Sequence, residues 1–143
     1  MEREVSIKYT NSVTCKEYNT LRQSVGWSEI ESVLTKKGLK NSAFIICARC
    51  GKKAVGMARV ITDYGYVVYI ADVMVLPEYQ GMGIGGEIMR RVMEYINKNI
   101  SPGQGKYVTL AASKGKEGFY EKFGLVKRPT QDLGSGMSLW IQK

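Results

Sequence analysis

Residues 76–96, LPEYQGMGIGGEIMRRVMEYI, constrain the fold more than any other stretch. Gly81, Gly83, Gly85 and Gly86 lie close together, and a helical pattern begins at once. A glycine inside a helix costs about 1 kcal/mol relative to alanine, so a cluster at a helix start needs a reason. Ile84, Ile88, Val92 and Ile96 recur every four residues, with Met89 and Met93 beside them. Arg90, Arg91 and Glu94 fall on the other face, so the pattern predicts an amphipathic helix packed on a sheet. The preceding YVVYIADVMVL is nearly all apolar and is expected to be a central strand. A strand that passes through glycines into a helix leaves free N–H groups at the helix start. The helix macrodipole favours an anion there. One expectation is therefore a pyrophosphate cradle. The competing one is that small residues only let helix and strand pack closely.

Positions 81, 83 and 86 also match G-x-G-x-x-G, the dinucleotide fingerprint. Its usual context is missing. The match follows the fourth expected strand, and no acidic residue lies in GKYVTLAA about 20 positions on. No Lys-Ser/Thr follows the glycines, which removes a Walker loop.

Elsewhere, EVSIKYT alternates as a first strand and KEYNTLRQSV reads as a short helix. SEIESVLTKKG pairs Ser28 with Glu31 as a capping box and closes at Gly38, a second helix. SAFIICARCGKKAVGMARVI is a hairpin turning at Gly51-Lys52, and DYGY is another turn. YVTLAA follows the long helix as a strand, and KEGFYEKFG is a short helix closed by Gly124. LVKRP and MSLWIQK read as two final strands around the loop TQDLGSG. The order is βααβββαβαββ, an α/β (α+β) chain in a single domain over residues 1–143. A mixed, mostly antiparallel sheet of about six or seven strands carries about four helices.

The 143 residues fit one domain, and the net charge of +8 suits an anionic partner or simple solubility. The basic residues are scattered, so no nucleic-acid partner is expected. Cys15, Cys47 and Cys50 are too few for a disulfide framework. Cys47 and Cys50 sit three apart on an expected strand, hence on opposite faces. With no histidine in the chain, no metal site is expected. The charged start MEREVSIKYT has no signal-peptide core, and no apolar run approaches the ~20 residues of a membrane span. A cytoplasmic protein without a membrane partner is expected.

Gln80-x-x-Gly83-x-Gly85, preceded by VLPEY and followed some 35 residues later by GFYEKFGL, resembles the GNAT superfamily of acetyl-CoA-dependent N-acetyltransferases. The resemblance covers nearly the whole chain, most strongly Val55 to Leu125. It implies acetyl-CoA as co-substrate, with the pyrophosphate held by Gln80, Gly81, Met82, Gly83, Ile84, Gly85 and Gly86. It implies that Val73, Met74 and Val75 form the strand that pairs with the pantetheine arm and polarises the acetyl carbonyl. Tyr120 matches the tyrosine that protonates the departing thiolate. Ser113 falls where many members have a coenzyme-contacting asparagine, and Lys114 and Lys116 lie nearby. Dimerisation is common in the family, though no segment of this chain specifies a homodimer.

The implied reaction is direct attack of a primary amine on the thioester in a ternary complex. An amine of pKa about 10.4 costs roughly 4–5 kcal/mol to present neutral at pH 7. No acid lies on YVTLAA, so Asp72, which interrupts an apolar strand, is the candidate base. A hydrogen-bonded structural aspartate is its competing reading, and Glu117 is the weaker candidate. Trp27, Tyr64, Asp63 and Asp132 suggest an aromatic, acidic surround for a small-molecule amine. A protein lysine or N-terminus as acceptor, or a non-catalytic acyl-CoA sensor, stands as the alternative.

Overall fold

The computed structural model describes residues 5–143, which divide after Thr109 into two compact units. The first unit holds strands β1 (Ile7–Thr10), β2 (Phe44–Cys50), β3 (Lys53–Thr62), β4 (Val67–Val75) and β5 (Tyr107–Thr109). Its helices are α1 (Cys15–Ser24), α2 (Ser32–Lys40) and α3 (Ile84–Lys98). The sheet order is β1-β2-β3-β4-β5, antiparallel except for the β4–β5 pair.

Strand alternation assigns the two faces of β2 and β3. Phe44, Ile46 and Gly56 face α3: the Phe44 ring stacks on Tyr95 at 4.4 Å, and Gly56 lies under Ile88. Arg49 and Arg59 emerge on the opposite face, beside α1. β3 is covered on both faces, and Met57, Ala58 and Val60 are fully buried or nearly so. The α3 stripe reads as expected. Ile84, Ile88, Met89, Val92 and Ile96 are at most 4% exposed, each contributing about 2 kcal/mol by burial. Cys47 is in the core and Cys50 half-buried.

The helix before the hairpin differs from expectation. α2 starts at Ser32 with Glu31 as an N-cap lacking a side-chain bond, and it runs through Gly38. The capping box forms instead at α1. Glu17 N–H donates to Thr14 Oγ1, and Thr14 N–H donates to Glu17 Oε1. Ser28 does not cap α2 because the helix starts four residues after it; its carbonyl accepts from Arg22 Nε at 2.7 Å. β1 begins at Ile7; the Glu4 end of the expected strand lies outside the described residues.

The second unit contains α4 (Glu117–Glu121), closed by Gly124 at φ +90°. The two expected final strands do not form, so among the described residues the sheet has five strands rather than six or seven. Around residues 128–134 the polar groups are satisfied locally. Thr130 N–H donates to Leu133 O, and Arg128 Nε donates to Gly134 O. Met137, Leu139, Trp140 and Ile141 are 73–95% exposed. Alternation alone does not make a strand; a ladder partner is also required.

Candidate active site

β4 holds the centre of the site. Its pairing with β5 covers only Val67, Val68 and Tyr69, so the Ala71–Val75 stretch is laddered to β3 alone. Within that stretch the register shifts. Ala71 opposes Arg59 and Met74 opposes Met57, so Asp72 and Val73 together face the single residue Ala58. That is a β-bulge. Asp72 takes the left-handed conformation, φ +56°, which aspartate tolerates better than most side chains.

The Asp72 carboxylate is held on several sides. Oδ2 accepts from Arg59 Nε at 2.5 Å and from the Tyr18 hydroxyl at 2.9 Å. Arg22 lies 3.5 Å from Oδ1. All these side chains are at most 17% exposed by the ion-pair geometry or buried in the core. Burial pushes the Tyr18 phenol above its usual range, and the Asp72 charge adds to this. The Arg22 guanidinium also covers the Trp27 ring at 5.3 Å. None of Tyr18, Arg22 and Arg59 was expected from the sequence as a site residue. The signal was weak: a carboxylate in an apolar strand demands partners, but nothing local says which.

After β4, a single 3₁₀ turn at Pro77–Tyr79 leads to Gln80. Leu76 N–H donates to Val55 O of β3 at 2.8 Å. By the strand period of two, the Val75 N–H and C=O point away from β3. The Val75 carbonyl accepts from Gln80 Nε2 at 3.0 Å, which ties the glycine loop to the β4 edge. Gly81 and Gly83 are left-handed at φ +79° and +81°, a turn that other residues adopt at a cost. Gly83 is the N-cap of α3 and has no side chain to occupy the helix start. The first bond into the helix is Glu87 N–H to Gly83 O at 3.1 Å, so the amides before it lack a helical acceptor. A Cβ added at Gly81, Gly83 or Gly86 would meet nothing within 4 Å. Tight packing therefore does not explain these glycines: Gly81 and Gly83 serve the left-handed turn, and Gly86 lies on an open surface at the helix start. Ile84 is buried and pins the loop to the core; Met82 is half exposed.

In the second unit, Tyr120 is buried in α4, with Phe119 edge-on at 5.0 Å. Burial raises its phenol pKa. Ser113 is exposed, and its carbonyl accepts from Lys116 N–H at 2.9 Å. Glu117 opens α4. Of the residues expected around an acceptor, Asp63 caps its own turn, accepting from Gly65 N–H at 2.8 Å. Tyr64 is 77% exposed on that turn, at φ +67°. Asp132 N–H donates to Thr130 Oγ1. Among the described residues no helix is long and apolar enough to cross a membrane.

Comparison with known proteins points to one family. The family model described as acetyltransferase (GNAT) family matches residues 12–125. An uncharacterised N-acetyltransferase, ycf52, of Pyropia yezoensis is 30% identical, covering 89% of this chain and 73% of its own. A crystal structure of a probable acetyltransferase from meticillin-resistant Staphylococcus aureus is 34% identical. It superposes with a TM-score of 0.85, over 95% of this chain and 100% of that one. A GNAT family protein from Streptococcus pneumoniae is 30% identical with a TM-score of 0.75, over 98% and 99%. The chain belongs to the acetyltransferase (GNAT) family and is an N-acetyltransferase with that family's α+β fold.

Proposed function

We propose that the protein transfers an acetyl group from acetyl-CoA to a primary amine, a small-molecule amine being favoured, by direct attack in a ternary complex. The open glycine surface at the α3 start carries this reading, because side chains are missing where no neighbour needs the space. In it, Gln80, Gly81, Met82, Gly83, Ile84, Gly85 and Gly86 hold the pyrophosphate through backbone amides. Val73, Met74 and Val75 receive the pantetheine arm along the β4 edge, and outward amides polarise the acetyl carbonyl. Ser113 contributes a coenzyme contact.

Acetyl-CoA supplies an activated acyl group. The amine nitrogen bonds to the acetyl carbon, the carbon–sulfur bond breaks, and the thiolate takes a proton from the Tyr120 hydroxyl. A buried phenol with a raised pKa stays protonated at neutral pH, as an acid must. It is a weaker acid than a thiol of pKa about 8.5, so transfer is concerted with carbon–sulfur cleavage. Tyr120→Phe lowers kcat by about 10²-fold or more and leaves acetyl-CoA affinity nearly unchanged. An unchanged kcat removes the role.

Water takes the amine proton and returns one to Tyr120, because the ion-paired setting of Asp72 favours positioning over base catalysis. A pH–rate profile that loses its acidic limb in Asp72→Asn restores the base. The exposed Met137, Leu139, Trp140 and Ile141 support a homodimer, which sedimentation equilibrium tests.

Calorimetric titration with acetyl-CoA, with NAD as control, tests the function as a whole. Binding of acetyl-CoA alone, followed by turnover in a panel of amines, is the expected result. Absence of acetyl-CoA binding overturns it. Binding without turnover of any small amine or peptide favours the sensor module.

A further inference from the structure

Asp72 is unusual in having three partners from two other elements while its own backbone is left-handed. Arg59 reaches it from β3, from the residue paired with Ala71 immediately before the bulge. Tyr18 and Arg22 reach it from α1. Arg59 is itself steadied by the Gly38 carbonyl at the α2 end and by Ser42 Oγ, 3.2 and 3.3 Å away. Arg22 is steadied by the Ser28 carbonyl and by the Trp27 ring. Two elements outside β4 therefore converge on one carboxylate at the point where β4 leaves register.

The consequence lies in the backbone. A bulge turns the peptide groups next to it and re-aims what they present. Here it reverses the alternation of β4. Ile70 opposes Val60 on the α3 face, but Met74 opposes Met57 on the α1 face. Without the bulge, the segment that ends at the outward Val75 groups would present a different set of amides. A left-handed residue persists only where its surroundings over-determine it. The surroundings here are Arg59, Tyr18 and Arg22.

We propose that Arg59, Tyr18 and Arg22 are positioning residues that act through Asp72: they lock the β4 bulge and so aim the outward amides of the Val73–Val75 stretch at the acyl carbonyl. This rests on the reading of β4 as the acyl-binding strand. The clamp lies on the α1 side of the bulge, and of the coenzyme only the pantetheine arm meets the bulged strand, while the pyrophosphate is read as held by the glycine loop at α3. Loss of the clamp should therefore degrade carbonyl polarisation more than coenzyme affinity.

The experiment uses the full chain with two probes, coenzyme A and acetyl-CoA carrying a ¹³C carbonyl. Affinities come from calorimetry, and the bound carbonyl stretch from infrared difference spectra. Asp72→Asn keeps a residue that tolerates the left-handed backbone and removes the charge. Arg59→Gln removes the guanidinium, and Tyr18→Phe removes a single hydroxyl, the variant least able to unfold the chain. In the unaltered protein the carbonyl stretch falls on binding. In Asp72→Asn and Arg59→Gln at least half of that fall is lost, with a smaller loss in Tyr18→Phe. Coenzyme A affinity falls by less than about tenfold in all three. An undiminished fall in the folded variants overturns the positioning role while leaving the acyl-binding reading in place. Binding of acetyl-CoA by the unaltered protein with no fall in frequency overturns the acyl-binding reading and this inference with it.

Discussion

At Gly56 in β3, an added Cβ would meet Met74 O at 3.0 Å, Ile88 Cδ1 at 3.1 Å and Val75 Cγ2 at 3.4 Å. At Gly86, two residues before that same Ile88, it would meet nothing within 4 Å. One glycine is the floor on which α3 rests; the other belongs to a surface left bare. Only the second kind leaves open space beside the backbone. Their neighbours differ, since Gly56 lies between Val55 and Met57 and Gly86 between Gly85 and Glu87, but the space around each is set by the fold. The difference predicts opposite signs for the same substitution.

The largest effect is expected at the contact itself. Ile88→Ala leaves a cavity over the Gly56 floor and costs about 2–5 kcal/mol, read from the urea midpoint at constant slope. Gly56→Ala comes next, at about 1–3 kcal/mol, because one clash is with a backbone carbonyl that cannot swing away. Adding Ile88→Val to Gly56→Ala removes the Cδ1 clash and should recover part of the loss. Full additivity in that double variant breaks the floor assignment. Gly86→Ala reverses the sign. It lies inside α3, so alanine stabilises by up to about 1 kcal/mol, while acetyl-CoA affinity falls about tenfold or more. Equal affinity in a more stable Gly86→Ala would return these glycines to packing.

A smaller, pH-dependent effect sharpens the contrast between the dry α3 face and the charged α1 face. The Arg49 guanidinium, bidentate on Glu17, holds that carboxyl at about 2, well below its usual 4.5. Its folded pKa is depressed, so its contribution is complete above about pH 4.5 and is lost as pH falls towards 2. Urea midpoints measured from pH 6 down to pH 2.5 should fall more steeply in the natural chain than in Arg49→Gln. Glu87, held at about 2 chiefly by Arg90 and then by Arg91, titrates in the same window. It is more exposed, so its share is smaller.

The α3 stripe, the Gly51-Lys52 hairpin and the glycine loop were legible because each is encoded within a few adjacent residues. Asp72 was legible as an anomaly, but its conformation was not. The bulge is a relation between β3 and β4, and Tyr18 lies 54 positions away in sequence. The capping boxes show the same limit. Thr14-x-x-Glu17 and Ser28-x-x-Glu31 have the same pattern, yet only the first closes. The bonds of Ser28 and Ile30 are taken by Arg22 and Asn19, partners in α1. The final strands failed for want of a neighbour, not of alternation: Met137, Leu139 and Ile141 keep the period of two and remain exposed.

The fastenings of α1 have a mechanical consequence. Glu17 ties it to Arg49 on β2, and the next residue, Tyr18, ties it to Asp72 on β4. Those strands are two spacings apart, about 10 Å, with β3 between them supplying Arg59 to the same carboxylate. The helix acts as a diagonal brace across a three-strand panel. The strands cannot shear or change their mutual twist without parting an ion pair or a hydrogen bond. The stiffness of this panel is borne by charge as well as by the buried Leu21 and Met57, so acid that protonates Glu17 should loosen one of its ties.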